Sequence, residues 1–491
     1  MEPFATALGL TAAGALLVVA TILSPLSQRL GVPVLLLILA VGMLAGSEGV
    51  GRIPFEDYRL AFRVGTVALT LILFDGGLGT PYAAFRGALA RAAVLASVGV
   101  VLTAAGVAVA AIALGFPPGL AVLLGAVVSS TDAAAVFSVL RSSGVRLKER
   151  TGATLEVESG LNDPIAMLLT VVATEIVLGE RRLDAGVLVL AAQQLGLGVA
   201  FGLGLGYAGR ALFRLVELPA PGLYPVLTAA IALAAYGLPT LLDGSGFLAV
   251  YLTGLVLAGG PMPYRAGIRR VHDALAWLSQ LAMFLILGLL VFPSRLLATV
   301  PVGIAVALAL TVVARPLAVA ISLLPFRLPA RELGFVGWVG LRGAVPIVLA
   351  TYPVLRGVPH GDLIFHVVFF VVLVNAIVPG TTVGWLARRT GLAAPAASSS
   401  PATVELVSLR EYPGEFVWYT IDRASAVAGA TVRDLPLPDG CVLTLVLRGD
   451  EVVAPHGDTL FAVADHVCLF VRHDERAFVD LLFGRGEEDA V

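Results

Sequence analysis

Three carboxylates fall within eight residues of one apolar stretch, in the string Glu156-Val157-Glu158-Ser159-Gly160-Leu161-Asn162-Asp163-Pro164. A charge at the centre of a bilayer costs roughly 2.5–3.5 kcal/mol even on insertion scales, so such groups persist only where they pair with something or bind something. Read as a helix, the string puts Ser159 and Asp163 at i and i+4 on one face, with Glu156 one turn before them. Glu158 and Asn162 share the neighbouring face. Asp163 lies near mid-span, about 18 Å from the segment start at 1.5 Å per residue. Pro164 removes a backbone donor and predicts a kink. Carboxylates, a hydroxyl and an amide gathered at that depth suit the holding of a cation or a proton. Structural polar residues satisfying one another are the plainer alternative, but three acids with a Ser and an Asn exceed what that requires.

Other apolar stretches are interrupted too. Ser129-Ser130-Thr131-Asp132 sets four polar residues in a row, which cover every face of a helix and so cannot face lipid. Phe74-Asp75-Gly76-Gly77 closes another stretch, where Asp75 is either functional or a simple interface cap. Gly340-Leu341-Arg342-Gly343-Ala344-Val345-Pro346 breaks a third with glycines, a proline and a lone Arg. Arg342 needs a buried partner, and Glu158 is the obvious candidate. Arg315-Pro316 is a second intramembrane cation, read as structural support for broken backbone. Two motifs mislead. Gly204-Leu-Gly206-Tyr-Ala-Gly209 has dinucleotide-fingerprint spacing but ends an apolar segment and follows no strand, so it predicts close helix packing. Thr382-Val383-Gly384-Trp385 partly matches a potassium filter but has no pore helix after it.

These residues need a membrane-spanning frame, and the composition supplies one. The 491 residues are 58% hydrophobic and 13% charged, with mean hydropathy +0.94, against about 25% charged in soluble proteins. Thirteen apolar segments run at about 5–24, 31–46, 58–74, 87–114, 119–140, 151–178, 185–207, 221–242, 245–260, 272–292, 298–323, 333–354 and 361–387. The second and ninth are short, as tilted or interfacial segments would be. Alternate loops differ about three to one in Arg and Lys, which predicts an external N-terminus and a cytoplasmic C-terminus. The interrupted fifth and twelfth segments stand seven apart, as inverted repeats of segments 1–6 and 8–13 would place them. No basic domain supports nucleic-acid binding, and no positively charged leader precedes the first segment, so no cleaved signal peptide is expected. The histidines show no metal spacing, and His456, His466 and His473 are expected at a soluble surface.

The division expected is a membrane domain over 1–390, a small-residue linker over 391–402, and a cytosolic α+β domain over 403–491. Short β-type runs at Val404–Leu409, Phe416–Ile421, Cys441–Leu447 and Val467–Val471 belong to that tail. Cys441 and Cys468 read as reduced cytosolic thiols.

Taken together, Phe74-Asp75-Gly76-Gly77, Ser130-Thr131-Asp132, Glu158–Pro164 and Gly340–Pro346 resemble the monovalent cation–proton antiporter family, in its Asn-Asp, sodium/proton-exchanger-like branch. Leu435-Pro-Leu-Pro438, Leu447-Arg448-Gly449 and Pro455–Thr459 resemble the TrkA-C lobe of potassium-conductance regulators. The combination is similar to bacterial potassium/proton antiporters of the cell-volume-regulation type. The resemblance implies an all-α polytopic protein of about thirteen transmembrane helices, with helices five and twelve unwound and crossing. It implies a cation site of Asp163, Asp132, Ser159 and the Thr131 backbone, with Asp75 nearby where relatives carry Glu. Glu158, Asn162, Arg342, Glu156 and Arg315 form a supporting network around it.

The expected activity is electroneutral exchange of K⁺, or alternatively Na⁺, for H⁺ across a bacterial or archaeal cytoplasmic membrane. Proton and cation compete for Asp163, and no cofactor or covalent chemistry is needed. A regulated potassium channel and a non-transporting ion sensor are the rivals. Partners expected are membrane lipids, a second copy of the chain, and a small cytosolic ligand at the tail, a regulatory nucleotide being the candidate.

Overall fold

The computed structural model describes residues 2–30, 33–343, 345–394, 414–423, 425–449, 451–472, 474–484 and 486. The Val404–Leu409 run, most of the linker and His473 lie outside them. The chain divides into two compact units, residues 1–261 with 268–394, and 262–267 with 395–491.

In lipid every backbone group must be satisfied within the chain, so apolar runs of this length fold as helices. The first unit holds α1 (Glu2–Leu30), α2 (Val34–Ala45), α3 (Tyr58–Gly79), and α4 (Tyr82–Val94) continued through a π turn at Leu95–Gly99 into α5 (Val100–Ala113). Next come α6 (Pro118–Val127), α7 (Ala133–Ser142), α8 (Glu149–Val177), α9 (Ala185–Leu215), α10 (Leu223–Thr240), α11 (Gly246–Ala258) and α12 (Arg265–Leu289), which belongs to this unit from Ile268 onward. A one-turn α13 (Pro293–Leu297) leads to α14 (Val300–Leu308), a second π turn at Ala309–Ala314, and α15 (Arg315–Leu323). The unit ends with α16 (Ala330–Trp338), α17 (Val345–Leu355) and α18 (Gly361–Arg389). A two-residue bridge pairs β1 (Arg146–Leu147) with β2 (Ala393–Ala394). Among the described residues, nine helices are long and apolar enough to cross a membrane, and α2, α6, α11 and α17 are shorter apolar ones.

Each of the thirteen apolar segments corresponds to a helix or a broken pair. Caps mark several starts: the Asp57 carboxylate accepts from Leu60 N at 2.9 Å, and that of Asp184 from Gly186 N at 2.8 Å. Three expectations change. The third segment runs on to Gly79, so Asp75 lies inside the helix rather than capping it. The ninth segment, expected to be tilted or interfacial, is α11, every residue of which is buried between α3, α9 and α10. It is apolar all round, the signature of an interior helix. Pro164 sits within an uninterrupted α8, since neighbouring helices can meet the carbonyl that a proline frees.

The helices fall into groups. α3, α9, α10 and α11 pack chiefly on one another, whereas α8 packs chiefly on α4 and α6. The π turns lie in the fourth and eleventh segments and the breaks in the fifth and twelfth, both pairs seven apart. Irregularities at matched positions are what repeats of opposite topology produce.

In the second unit, four antiparallel strands run in the order β3 (Gly414–Thr420), β6 (His466–Arg472), β4 (Val442–Arg448), β5 (Glu451–Val453), followed by α19 (Arg476–Phe483). β5 and α19 were not foreseen from the sequence. Alternation along the strands puts Val417, Tyr419, Val467 and Leu469 in the core with Val479 and Phe483 of α19. Trp418, Leu447 and Cys468 form a smaller cluster. Arg448 grips Asp465 with two hydrogen bonds, at 2.9 and 2.8 Å. Burial pushes the Asp465 carboxyl up, but the Arg448 guanidinium and the Ala462 N–H outweigh it and hold it below the usual carboxylate range. Neither cysteine forms a disulfide among the described residues, and burial followed by Glu475 pushes the Cys441 thiol up to about 11. His456 is exposed, while His466 is half-buried and hydrogen-bonded to Thr420 at 3.0 Å.

Candidate functional site

The fifth segment opens after Val128, and the four polar residues occupy the gap between α6 and α7. Unwinding exposes backbone groups, and α8 meets them. The Ser159 hydroxyl donates to Thr131 O and accepts from Ala133 N, both at 3.1 Å. Asn162 Nδ2 donates to Thr131 Oγ1 at 2.6 Å. Asp132 caps α7, its carboxylate accepting from Ala135 N at 3.0 Å. Its own N–H donates to Leu341 O at 2.9 Å, which joins the first break to the second. Where the breaks meet, a Cβ on Gly343 would stand 1.7 Å from Asp132 Oδ2, so only glycine allows this approach.

A cavity of about 270 Å³ reaches this crossing. Asp132, Ser159, Asp163, Asp75 and Glu156 all line it. Asp163 Oδ1 is buried and has no hydrogen-bond partner among the described residues. Of the expected site residues, the structure thus brings Asp163, Asp132, Ser159, Asp75 and Glu156 to one cavity, with Thr131 held directly behind Ser159.

The expected Glu158–Arg342 pair is not formed. Glu158 pairs with Arg315 instead, Nη2 lying 2.7 Å from Oε1 and hydrogen-bonded to Oε2 at 3.0 Å, both side chains almost fully buried. The register decides this: Arg315 follows the second π turn and passes beside Gly340, where a Cβ would sit 2.9 Å from its Nε. It thereby supports the second break as well. All three guanidinium nitrogens of Arg342 are buried without a hydrogen-bond partner among the described residues. A small apolar void lined by Leu36, Val139 and Phe284 lies beside it.

Sequence reasoning passed over the α12 wall, where Asp273, Trp277, Gln280 and Phe284 line the cavity at helical spacing. That polar stripe in an apolar helix was the available signal. Thr80 and Tyr251, which border Glu156, carried no local signal. Buried His272 was passed over too; its Nε2 meets Thr228 Oγ1 at 2.8 Å. The glycine-spaced motif is packing, since a Cβ on Gly206 or Gly209 would strike Val256 or Leu257. Thr382–Trp385 lies within α18, where Thr382 accepts from Trp338 Nε1 at 2.8 Å. No cluster of three or more His, Cys, Asp or Glu spaced for a metal ion occurs among the described residues.

Residues 15–389 match the family model for the transmembrane sodium/hydrogen exchanger, and residues 416–482 match the TrkA-C domain. The chain is 41% identical over 463 residues to the K(+)/H(+) antiporter NhaP of Alkalimonas amylolytica, covering 94% of this chain and 80% of that one. It is 41% identical over 488 residues to the K(+)/H(+) antiporter NhaP2 of Shewanella baltica, covering 97% and 83%. The solved structure of the sodium proton antiporter MjNhaP1 from Methanocaldococcus jannaschii at pH 8 shares the fold, with a TM-score of 0.67 and 23% identity over 79% of this chain and 99% of that chain. The acid-lined cavity at the crossing of two broken helices therefore sits in a chain that belongs to the sodium/hydrogen exchanger family, multi-pass membrane transporters that are not enzymes.

Proposed function

We propose that the protein exchanges a monovalent cation, K⁺ by preference, for H⁺, with the two competing for Asp163. The observation that carries this is the placement of Asp163, Asp132 and Ser159 on one cavity where the two helix breaks cross. A lone acceptor oxygen on Asp163 can take a proton or help to strip the water from a cation, but it cannot serve both at once. Asn162 does not ionise, so one proton for one cation, an electroneutral exchange, is the stoichiometry we infer. Preference for K⁺ rests on the relatives named K(+)/H(+) antiporters. Na⁺/H⁺ exchange at the same site is the second reading, favoured by the likeness of fold to a sodium proton antiporter. We infer further that the N-terminus is external, that two copies pair, and that the TrkA-C-like unit is cytosolic and takes a small ligand such as a regulatory nucleotide.

The test is proton flux in liposomes containing the purified protein, driven in turn by K⁺, Na⁺ and Li⁺. Asp163→Asn should abolish flux with every cation while the protein remains inserted and folded. Flux near the parent level in that variant removes the assignment. Current without coupled proton movement would favour a channel, and ion binding without flux a sensor.

A further inference from the structure

We propose that Glu156 is a staging carboxylate for the transported cation, held in place by Thr80 across the seam between two helix groups. The proposal rests on the exchange reading above. Glu156 and Asp163 line the same cavity from one helix, seven residues and so about 10.5 Å apart along its axis. Two glutamates stand two residues apart on α8, and their surroundings differ. Glu158 is neutralised by Arg315, both side chains almost fully buried. Glu156 is half-buried, faces the cavity and makes no ion pair among the described residues. The Glu156 carboxylate therefore has charge to offer a mobile ion, whereas that of Glu158 is already committed.

Its hydrogen-bond partner suits such a role. Thr80 Oγ1 lies 3.0 Å from Glu156 Oε1, 2.7 Å from Gly76 O, and 3.5 Å from the Tyr251 hydroxyl. A threonine has one O–H to donate and two lone pairs to accept with. Toward a carboxylate, Thr80 donates. Toward a carboxylic acid it can turn its proton to Gly76 O and accept from Glu156. The same contact thus holds Glu156 in either protonation state. Tyr251 is fixed in its turn, because its ring packs on Gly160, where a Cβ would stand 2.4 Å from it. Thr80 follows α3 and Tyr251 lies on α11, in the group that packs on itself, while Glu156 rides on α8 in the other. Asp75, Asp273, Arg141, Asp132 and Asp163 are the other charges lining the cavity.

The experiment measures the K⁺ dependence of proton flux in liposomes of the full chain, from each side of the membrane. Glu156→Gln should raise KM for K⁺ about tenfold from one side of the membrane, the equivalent of 1.4 kcal/mol. The maximal rate should fall by less than KM rises, and KM from the opposite side should not follow. Thr80→Val should shift KM in the same direction by a smaller factor, and Thr80→Ser, which keeps the hydroxyl, should restore it. An unchanged KM in Glu156→Gln overturns the proposal. If that variant does not fold, an unchanged KM in Thr80→Val overturns it instead. Asp163→Asn, run alongside, separates the two readings: an active Asp163→Asn removes the exchange site itself, whereas an inactive one with unshifted Glu156 variants removes only the staging role.

Discussion

At the first break, between α6 and α7, side chains of α8 take up the freed backbone: Ser159 clamps Thr131 O and Ala133 N, and Asn162 holds the Thr131 hydroxyl. At the second, between α16 and α17, the freed Leu341 O is met by backbone, the N–H of Asp132. Glycines 340 and 343 give room there for Arg315 and for the Asp132 carboxylate. The first break is polar and closed by neighbours; the second is built from absent side chains and carries a cation. Positions equivalent under the repeat have thus specialised, one offering oxygens and the other space and positive charge.

The sharpest way to break the comparison is to fill the space. Gly343→Ala places a Cβ where Asp132 Oδ2 now lies. The carboxylate or the second break must move by an ångström or more, and a misplacement of that order costs about 10²-fold in rate. Cation-driven proton flux should fall by about that factor while the helical spectrum is retained. Gly334→Ala, where the new Cβ meets nothing within 4 Å, is the control and should leave flux unchanged. Parent-like flux in Gly343→Ala would show that Asp132 does not need this approach.

The second prediction separates the two cations. Arg315→Gln leaves Glu158 buried without its partner, and removal of one member of such a pair costs roughly 3–5 kcal/mol. Thermal melting in detergent should show a large loss. The double change Arg315→Gln with Glu158→Gln should recover part of it. Arg342→Gln removes a guanidinium with no hydrogen-bond partner among the described residues and should melt close to the parent. If Arg342→Gln proves the more damaging of the two, the pairing of Glu158 with Arg315 is wrong.

That pairing also marks where the sequence stopped being legible. Thirteen segments, two interruptions and the cluster around Asp163 could be read because each is a local violation of the rule that lipid-facing sequence is apolar. The pairing could not be read, because two intramembrane arginines were available and Arg315 stands 157 positions from its partner. Register between distant helices settles such a choice, and here it depends on a π turn that no residue type announces. Thr80 and Tyr251 were hidden for a related reason: an ordinary Thr at a helix end and a Tyr within an apolar helix gain meaning only from what lies across the seam. In the second unit, β5 spans three residues, too few to show alternation.

The smallest effect concerns the groups left without hydrogen-bond partners among the described residues, Ser130 in the first break and Arg342 in the second. Ser130 is buried and its hydroxyl has no hydrogen-bond partner among the described residues. Its neighbour Ser129 bonds to Ala126 O at 2.7 Å. An intramolecular hydrogen bond is worth about 0.5–1.5 kcal/mol net, and a buried polar atom without one carries a desolvation penalty of about 1–3 kcal/mol. Ser129→Ala should therefore lower the melting temperature by a few degrees, and Ser130→Ala should leave it level or raise it. If the Ser130 oxygen serves the ion rather than the fold, Ser130→Ala should also weaken the apparent affinity for K⁺ a few-fold, while Ser129→Ala should not. A clear loss of stability in Ser130→Ala with unchanged K⁺ affinity would reverse the assignment. The Ser130 hydroxyl would then be a purely structural part of the first break, and the ion would depend on Asp163, Asp132 and Ser159 without it.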